Sequence, residues 1–343
     1  MEKKSINREI RKISNISSLP ILVYCILSFL FLNFVKPHIF TILRRNGVTV
    51  TENFDSFIQF ITLFLVIFPL AIIAFKVVKG KNNPIKLKAC FCKPKRSIGW
   101  IVKWLVISFG IIIVVSFVVG FVLNIIEQLT GAKLSDSSNV FMSASVVTVP
   151  TYVVDILPTL IFAPFFEEIL FRGLIYKNNE KAGHLFSIVV SGLLFGLCHQ
   201  SVRQIIIVSV VGMFCCFLYL KTKSIFPSII LHFIVNLKSV LLAYLLGNIN
   251  MYDITHDPLN GIRSNIEPIL ILLVTMLIIF AITVVGVIFL IREFVKNKKS
   301  MFLEKGVFEI STVKKTIIYF TSPITLITYI CLIYSIITKV VSL

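Results

Sequence analysis

Long apolar runs alternate with short charged segments along most of this chain. A run of about 18 residues or more is long enough, at ~1.5 Å per residue, to cross a ~30 Å hydrocarbon core as a helix. The runs are continuous rather than alternating with polar residues, which favours helices over the strands of a membrane barrel. Nine spans are predicted, near residues 19–36, 56–77, 99–126, 150–176, 184–200, 204–220, 224–246, 267–291 and 316–338. The predicted fold is an all-α, polytopic transmembrane helical bundle of about eight or nine spans.

Composition excludes the main soluble classes of protein. Of the 343 residues, 57% are hydrophobic and 15% are charged, and the mean hydropathy is +0.95. Soluble domains carry about 25% charged residues, so a soluble enzyme, a disordered chain and a secreted disulfide scaffold are excluded. Most of the seven cysteines lie inside apolar runs, where a thiol behaves as a small hydrophobe, and no disulfide framework is expected. Cys90 and Cys92 lie in a basic loop, where metal binding or palmitoylation is an alternative to the expected unmodified thiols.

The placement of the basic residues predicts which loops face inward. The formal charge of +18 comes from 34 basic and 16 acidic residues, a balance that is also typical of nucleic-acid-binding proteins. Here the basic residues collect in every second loop, near 76–98, 177–181, 221–223 and 292–305, as they do in cytoplasmic loops. The first outer loop, with Arg44 and Arg45, departs from this pattern. The N-terminus is therefore predicted to be cytoplasmic, the lipid bilayer is a predicted partner, and nucleic acid is not.

Three apolar runs contain ionisable or amide side chains. Placing such groups in a membrane costs free energy, which indicates that they have a polar partner or a function. The fourth run contains Glu167, Glu168 and Arg172, the fifth ends at His199, and the seventh contains His232 and Asn236. Residues four apart share a helix face, so Glu168 and Arg172 are predicted to form an ion pair. Adjacent residues point ~100° apart, which leaves Glu167 without a local partner. His232 and Asn236 are also four apart and present an imidazole and an amide together.

Counting from the inner loops predicts that these side chains lie at similar depths. At ~1.5 Å per residue, Glu167 lies ~21 Å and His199 ~22 Å from the inner loop that joins their helices. His232 lies ~12 Å and Asn236 ~18 Å along the helix from the next inner loop, so helix tilt can bring them to the same depth as the other two. The sequence therefore predicts one intramembrane site built from three helices.

A carboxylate beside an imidazole can deprotonate a water for attack on a carbonyl, and two N–H donors on one face can bind the developing oxyanion. The chain has no H-E-x-x-H zinc motif and no G-x-S-x-G nucleophile motif. A divalent metal such as zinc is an open alternative, with Glu167, His199 and His232 as its ligands and water in the fourth position. A second hypothesis is a non-catalytic membrane immunity or regulatory protein that acts by partner binding and uses the polar groups to join its helices. A third is a transporter with Glu167 as its proton site.

Three ordered motifs resemble those of a known family. They are E-E-x-x-x-R at Glu167–Arg172, F-x-x-x-H at Phe195–His199 and H-x-x-x-N at His232–Asn236. In this order on successive membrane segments they resemble the CPBP family of CAAX proteases and bacteriocin-processing enzymes, also called Abi or Rce1-like intramembrane endopeptidases. The resemblance covers about residues 150–240 and leaves the other spans without a motif.

The resemblance implies an intramembrane endopeptidase that hydrolyses a peptide bond in a peptide or membrane-associated protein. By position, it implies that Glu167 and His199 activate the water and that His232 and Asn236 bind the oxyanion. Glu168 and Arg172 would support the motif. No cofactor is required if Glu167 activates the water, whereas a metalloprotease mechanism would need the divalent metal. Relatives act in CAAX-type processing, bacteriocin or signalling-peptide maturation, or self-immunity.

The chain is expected to consist of three parts and to lie in a cell membrane. Residues 1–149 are predicted to be N-terminal transmembrane helices with a basic cytoplasmic loop, 150–246 the catalytic core, and 247–343 C-terminal transmembrane helices. The Lys-, Ile-, Asn- and Phe-rich composition favours the bacterial cytoplasmic membrane, and with it the peptide-processing branch of the family.

Overall fold

A computed structural model of the chain describes residues 3–80, 85–131, 156–199, 201–296, 303 and 306–341. Within these ranges the regular structure is helical, with no strand. The α-helices are α1 Lys3–Leu30, α2 Lys36–Arg45, α3 Glu52–Ile61, α4 Phe68–Lys79, α5 Ile98–Thr130, α6 Ala163–Glu168, α7 Lys177–Asn179, α8 His184–Leu197, α9 Val202–Thr222, α10 Phe226–Gly247, α11 Met251–His256, α12 Pro258–Ser264, α13 Ile266–Lys296, α14 Thr312–Phe320 and α15 Pro323–Val341. The π-helical turns are Phe31–Val35, Thr62–Ile67, Pro158–Phe162 and Ile169–Tyr176, and the 3-10 turns are Leu87–Phe91 and Glu180–Ala182. The all-α prediction is confirmed.

The described residues contain fewer spans than the eight or nine predicted. Among the described residues, six helices are long and apolar enough to cross a membrane, or seven if the bent pair α14 and α15 is one span. The fifth predicted span is a helix of only 14 residues, α8, which is too short to cross a ~30 Å core at ~1.5 Å per residue. The fourth contains four charged residues and two π-helical turns, and its predicted beginning lies outside the described residues. The ninth bends by 74° at the break before Pro323, which cannot continue the preceding helix.

The predicted inner loops contact one another on one face of the bundle. Lys79 at the end of α4 donates to the Asn178 side chain, 2.5 Å away, in the loop before α8. Arg96 donates to the backbone carbonyl of Lys221 at the end of α9. Lys315 of α14 donates to the Ala182 carbonyl. The alternation of basic and non-basic loops therefore predicted correctly which loops lie together.

Close packing of α8 on α9 fixes the end of α8, where His199 lies. Gly192 and Gly196 are four apart on α8 and face α9, as in the small-residue interfaces of membrane helices. A Cβ atom at Gly196 would lie 2.1 Å from Ser209 Oγ and 2.3 Å from the Ile205 carbonyl oxygen. Only glycine fits at this distance, so the two backbones approach closely and the short helix is held against a full-length span.

The C-terminal helices pack against α1 through buried hydroxyl groups. Ser14 Oγ donates to the Tyr319 carbonyl oxygen at 2.6 Å, and Ser18 Oγ donates to Thr325 Oγ1 at 3.0 Å. The Tyr319 hydroxyl in turn donates to Asn179 Oδ1 at 3.1 Å, at the end of the segment that carries the two glutamates. Hydrogen bonds of this kind hold membrane helices together where apolar contact with lipid is equally favourable. The last two helices thus brace α1 against the glutamate-bearing segment.

Candidate active site

The two glutamates lie on a helix whose hydrogen bonding changes on both sides of them. The π-helical turns Pro158–Phe162 and Ile169–Tyr176 flank α6, which ends at Glu168. In the first turn the Ala163 N–H donates to the Pro158 carbonyl. The next π-type bond would need a donor at residue 164, but proline has no N–H. Asn236 Nδ2 donates to the Thr159 carbonyl instead, at 2.8 Å.

This contact changes the expectation for Asn236. The amide was expected to be available as an oxyanion donor, whereas one of its N–H groups is given to the backbone of the glutamate segment. An amide nitrogen has two hydrogens, so a second one is left for another acceptor. In this structure Asn236 therefore ties α10 to the first π-helical turn.

Glu168 and Arg172 form the predicted ion pair, and both side chains are fully buried. Arg172 Nη1 lies 2.8 Å from Glu168 Oε1. Arg172 Nη2 donates to the Gly212 carbonyl at 3.0 Å, and the guanidinium carbon lies 4.5 Å from the centroid of the Phe195 ring. Burial makes each charge depend on the other, because a charge left alone in the interior is strongly penalised.

His232 lies between the two carboxylates rather than beside Asn236 alone. Its Nδ1 is 3.1 Å from Glu168 Oε1, and its Nε2 is 3.9 Å from Glu167 Oε2. A proton on Nδ1 is donated to Glu168, and this bond fixes the orientation of the ring. Glu168 therefore contacts His232 in addition to its predicted partner Arg172.

Glu167 and His199 line one cavity of about 130 Å³, which has room for a few water molecules. His199 Nδ1 lies 3.0 Å from the Phe195 carbonyl oxygen, so it donates there and leaves the Nε2 lone pair available. Glu167 Oε2 has no hydrogen-bond partner among the described residues. The remaining lining residues are Ile21, Tyr24, Phe68, Leu170, Phe171, Phe195 and Cys198. A carboxylate and an imidazole thus face the same enclosed space.

The cavity wall includes residues that sequence reasoning missed. Tyr24 of α1 and Phe68 of α4 come from helices without a motif, and no spacing in the sequence connects them to the glutamates. Cys198 directly precedes His199 and was interpreted only as a small hydrophobe. His232 and Asn236 do not belong to the lining. Two of the predicted site residues therefore share the cavity, and His232 lies behind its lining residues Glu167 and Phe195.

The arrangement does not fit the open metal alternative. Among the described residues there is no group of three His, Cys, Asp or Glu side chains that could hold a metal ion. Glu167 lines the cavity with His199, and its Oε2 is 3.9 Å from His232 Nε2, but these side chains do not form such a group. Zinc ligands lie ~2 Å from the metal in tetrahedral geometry, and no step is derived through a metal here.

Comparison with known proteins supports the resemblance. Residues 149–238 match the family model described as type II CAAX prenyl endopeptidase Rce1-like. The chain carries an Rce1-like segment. This segment contains the two glutamates, Arg172, both histidines of the site and Asn236. The resemblance predicted from the three motifs is therefore confirmed for residues 149–238.

One curated relative matches part of the same chain. The chain is 32% identical over 82 residues to a Bacillus subtilis (strain 168) protein described as "Putative membrane peptidase YdiL". The alignment covers 24% of this chain and 34% of YdiL, so the chain spans about a third of the length of this relative. No solved structure matches the chain. Together the two matches support a membrane protease of the CAAX-protease kind.

Proposed function

We propose that this chain is an intramembrane endopeptidase in which Glu167 and His199 activate a water molecule. The observation that carries the proposal is that these two side chains line one cavity, with Glu167 Oε2 unpaired among the described residues. The Rce1-like match supports it, because the matched segment contains both residues.

The residues of the cavity can carry out hydrolysis in two stages. Glu167, as a carboxylate, removes a proton from a water while the water oxygen bonds to the peptide carbonyl carbon. His199 Nε2 accepts a hydrogen bond from the other water hydrogen, which stays on the oxygen. The carbonyl π electrons move onto oxygen and give a tetrahedral oxyanion. When the C=O bond reforms, the C–N bond breaks and the proton held by Glu167 passes to the departing nitrogen. The water is consumed and both side chains return to their starting state.

The neighbouring residues position this pair. His232, held by Glu168 through Nδ1, presents Nε2 towards Glu167 and restrains the carboxylate. The ion pair with Arg172 holds the Glu168 side chain in place. The oxyanion roles that the resemblance implies for His232 and Asn236 stay a prediction. Asn236 would use the second N–H of its amide, and His232 would need a hydrogen on Nε2 in addition to the one that Nδ1 donates to Glu168.

The surroundings of the cavity favour a substrate that enters from the membrane. Phe68 and Phe195 belong to its wall, and Phe68 packs on Phe166 with ring centroids 6.1 Å apart. An apolar wall within membrane helices suits a peptide segment with apolar side chains around the bond to be cut. We propose a peptide or membrane-associated protein as substrate, in bacteriocin or signalling-peptide maturation, self-immunity or CAAX-type processing at a bacterial cytoplasmic membrane.

The test compares protein and peptide termini in cells that carry the wild type, Glu167→Gln or an empty vector. Glu267→Gln is the matched control, because Glu267 is an exposed carboxylate at the start of α13. Membrane levels of all variants are checked by blot. New termini with the wild type and Glu267→Gln, and none with Glu167→Gln, are expected, and they also identify the substrate.

Identical termini in all samples, at equal membrane levels, would overturn the enzyme proposal. The non-catalytic immunity or regulatory protein would then be the better hypothesis. Co-purification of a partner that depends on Glu168 and Arg172, rather than on Glu167, is the measurement that would support it.

A further inference from the structure

The cavity that holds Glu167 and His199 has a strong hydrogen-bond donor that the mechanism does not yet use. Besides that pair, the polar lining side chains are Tyr24 and Cys198. A thiol is a weak donor, whereas a phenol O–H is a good one and can also act within an otherwise apolar wall. Tyr24 shares this lining with Glu167, His199 and Cys198, so its side chain borders the space in which the proposed water activation takes place.

Hydrolysis in this cavity needs a donor for the negative charge that develops on the peptide oxygen. Donors aimed at such a charge in a site that excludes water are worth far more than in solution. The two donors implied by the resemblance, His232 and Asn236, are outside the lining, and each has a hydrogen bond to protein already. Tyr24 is therefore the lining side chain best suited to this task.

The phenol is held by packing rather than by a flexible loop. Its ring packs on Phe68 with centroids 5.5 Å apart, and Phe68 stacks on Phe64 at the same centroid distance. The α1 helix that carries Tyr24 is braced by α4 and by the buried Ser14 contact to Tyr319. A donor fixed in this way costs little reorganisation when charge develops.

We propose that the Tyr24 hydroxyl donates a hydrogen bond to the carbonyl oxygen of the peptide bond that is cut, and stabilises the oxyanion. The proposal rests on the proposed function and adds a catalytic residue from α1, which lies outside the matched segment 149–238. No bond to Tyr24 forms or breaks, and its proton stays on the phenol oxygen throughout.

The test uses the purified full-length chain and a fluorogenic peptide that spans the junction found by the terminus comparison. Tyr24→Phe keeps the ring on Phe68 and removes one hydroxyl, so kcat is expected to fall about 100-fold, with KM within about twofold of the wild type. Tyr334→Phe is the control, because this tyrosine of α15 is 66% exposed and remote from the cavity lining. Its kcat is expected to equal that of the wild type.

A second measurement does not depend on turnover. A phosphinate analogue of the same peptide carries a tetrahedral, charged centre, and its Kd is expected to rise in Tyr24→Phe by about the same factor as kcat falls. Binding is measured on folded protein, after the melting temperature of each variant has been recorded. An unchanged analogue Kd overturns the proposal even if the variant is destabilised.

The outcomes separate this proposal from the function on which it rests. If the wild type cuts its peptide and Tyr24→Phe cuts it at a similar kcat, the Tyr24 proposal is wrong and the peptidase proposal stands. A rise in KM at constant kcat also overturns it, since that result describes ground-state binding. If the wild type produces no new termini, the peptidase proposal itself fails.

Discussion

The two adjacent glutamates are expected to respond in opposite ways to the same conservative substitution. Glu168→Gln leaves Arg172 fully buried with no countercharge, and it weakens the bond that holds His232. Removing one partner of a buried ion pair costs about 3–5 kcal/mol. Glu167→Gln removes only a 3.9 Å contact to His232, which is worth about 1 kcal/mol or less. The stability loss should therefore belong to Glu168, and the activity loss to Glu167.

The assay is thermal unfolding of the purified chain in one detergent, with peptide cleavage measured on the same samples. A loss of 3–5 kcal/mol lowers the melting temperature by about 5–15 °C in a protein of this size. Glu167→Gln should melt within about 3 °C of the wild type and show no cleavage. Equal melting shifts for the two variants would refute the assignment of different roles to neighbouring carboxylates.

A double substitution tests whether the loss comes from an uncompensated charge. Glu168→Gln combined with Arg172→Met removes both charges and leaves side chains of similar volume in the same space. The double variant should recover at least about 2 kcal/mol relative to Glu168→Gln, because no charge is left alone in the interior. If the two losses simply add, the Coulomb interaction is not what holds these groups together.

Further expected results follow from individual contacts. Gly196→Val should lower the melting temperature by about 5 °C or more, because any Cβ overlaps α9, and a blot of membrane levels together with unfolding checks it. Asn236→Ala should cost about 1–3 kcal/mol by leaving the Thr159 carbonyl without its amide donor, again measured by unfolding. Burial raises the pKa of the Cys90 thiol, so less thiolate is present at neutral pH, and alkylation followed by mass spectrometry should modify Cys92 first and Cys90 only as the pH rises above ~8.5. Peptide cleavage should persist after treatment with a strong chelator, and its loss with recovery on added zinc would contradict the glutamate-activated water.

Local spacing predicted the parts of the site that depend on one helix or on one hairpin. The Glu168 and Arg172 contact follows from residues four apart sharing a face, and the shared depth of Glu167 and His199 follows from counting along two helices joined by a loop. The engagement of Asn236 could not be predicted in the same way. It depends on a π-helical turn in which Pro164 removes a donor, and no periodicity in the sequence encodes that turn.

The predicted number of spans differs from the six or seven among the described residues for a related physical reason. Hydropathy counts apolar residues but does not distinguish a helix that faces lipid from one that is enclosed by protein. The α8 helix has 14 residues, and its two interface glycines pack it closely against α9. A run of about 14 residues is in the range expected for a buried or re-entrant segment. The length of an apolar run, rather than its hydropathy, separates membrane-spanning helices from buried or re-entrant ones.

The cavity also shows why a match to one segment describes only part of the site. The matched residues 149–238 supply the carboxylate, the imidazole and the groups that position them. The opposite wall comes from α1 and α4, through Ile21, Tyr24 and Phe68. In the proposed peptidase, a peptide bound between these walls would contact both, so the helices outside the match would take part in selecting it. Substitutions at Ile21 or Phe68 should accordingly change which peptides are cut while the chemistry at Glu167 stays the same, and comparison of cleavage junctions between such variants and the wild type measures it.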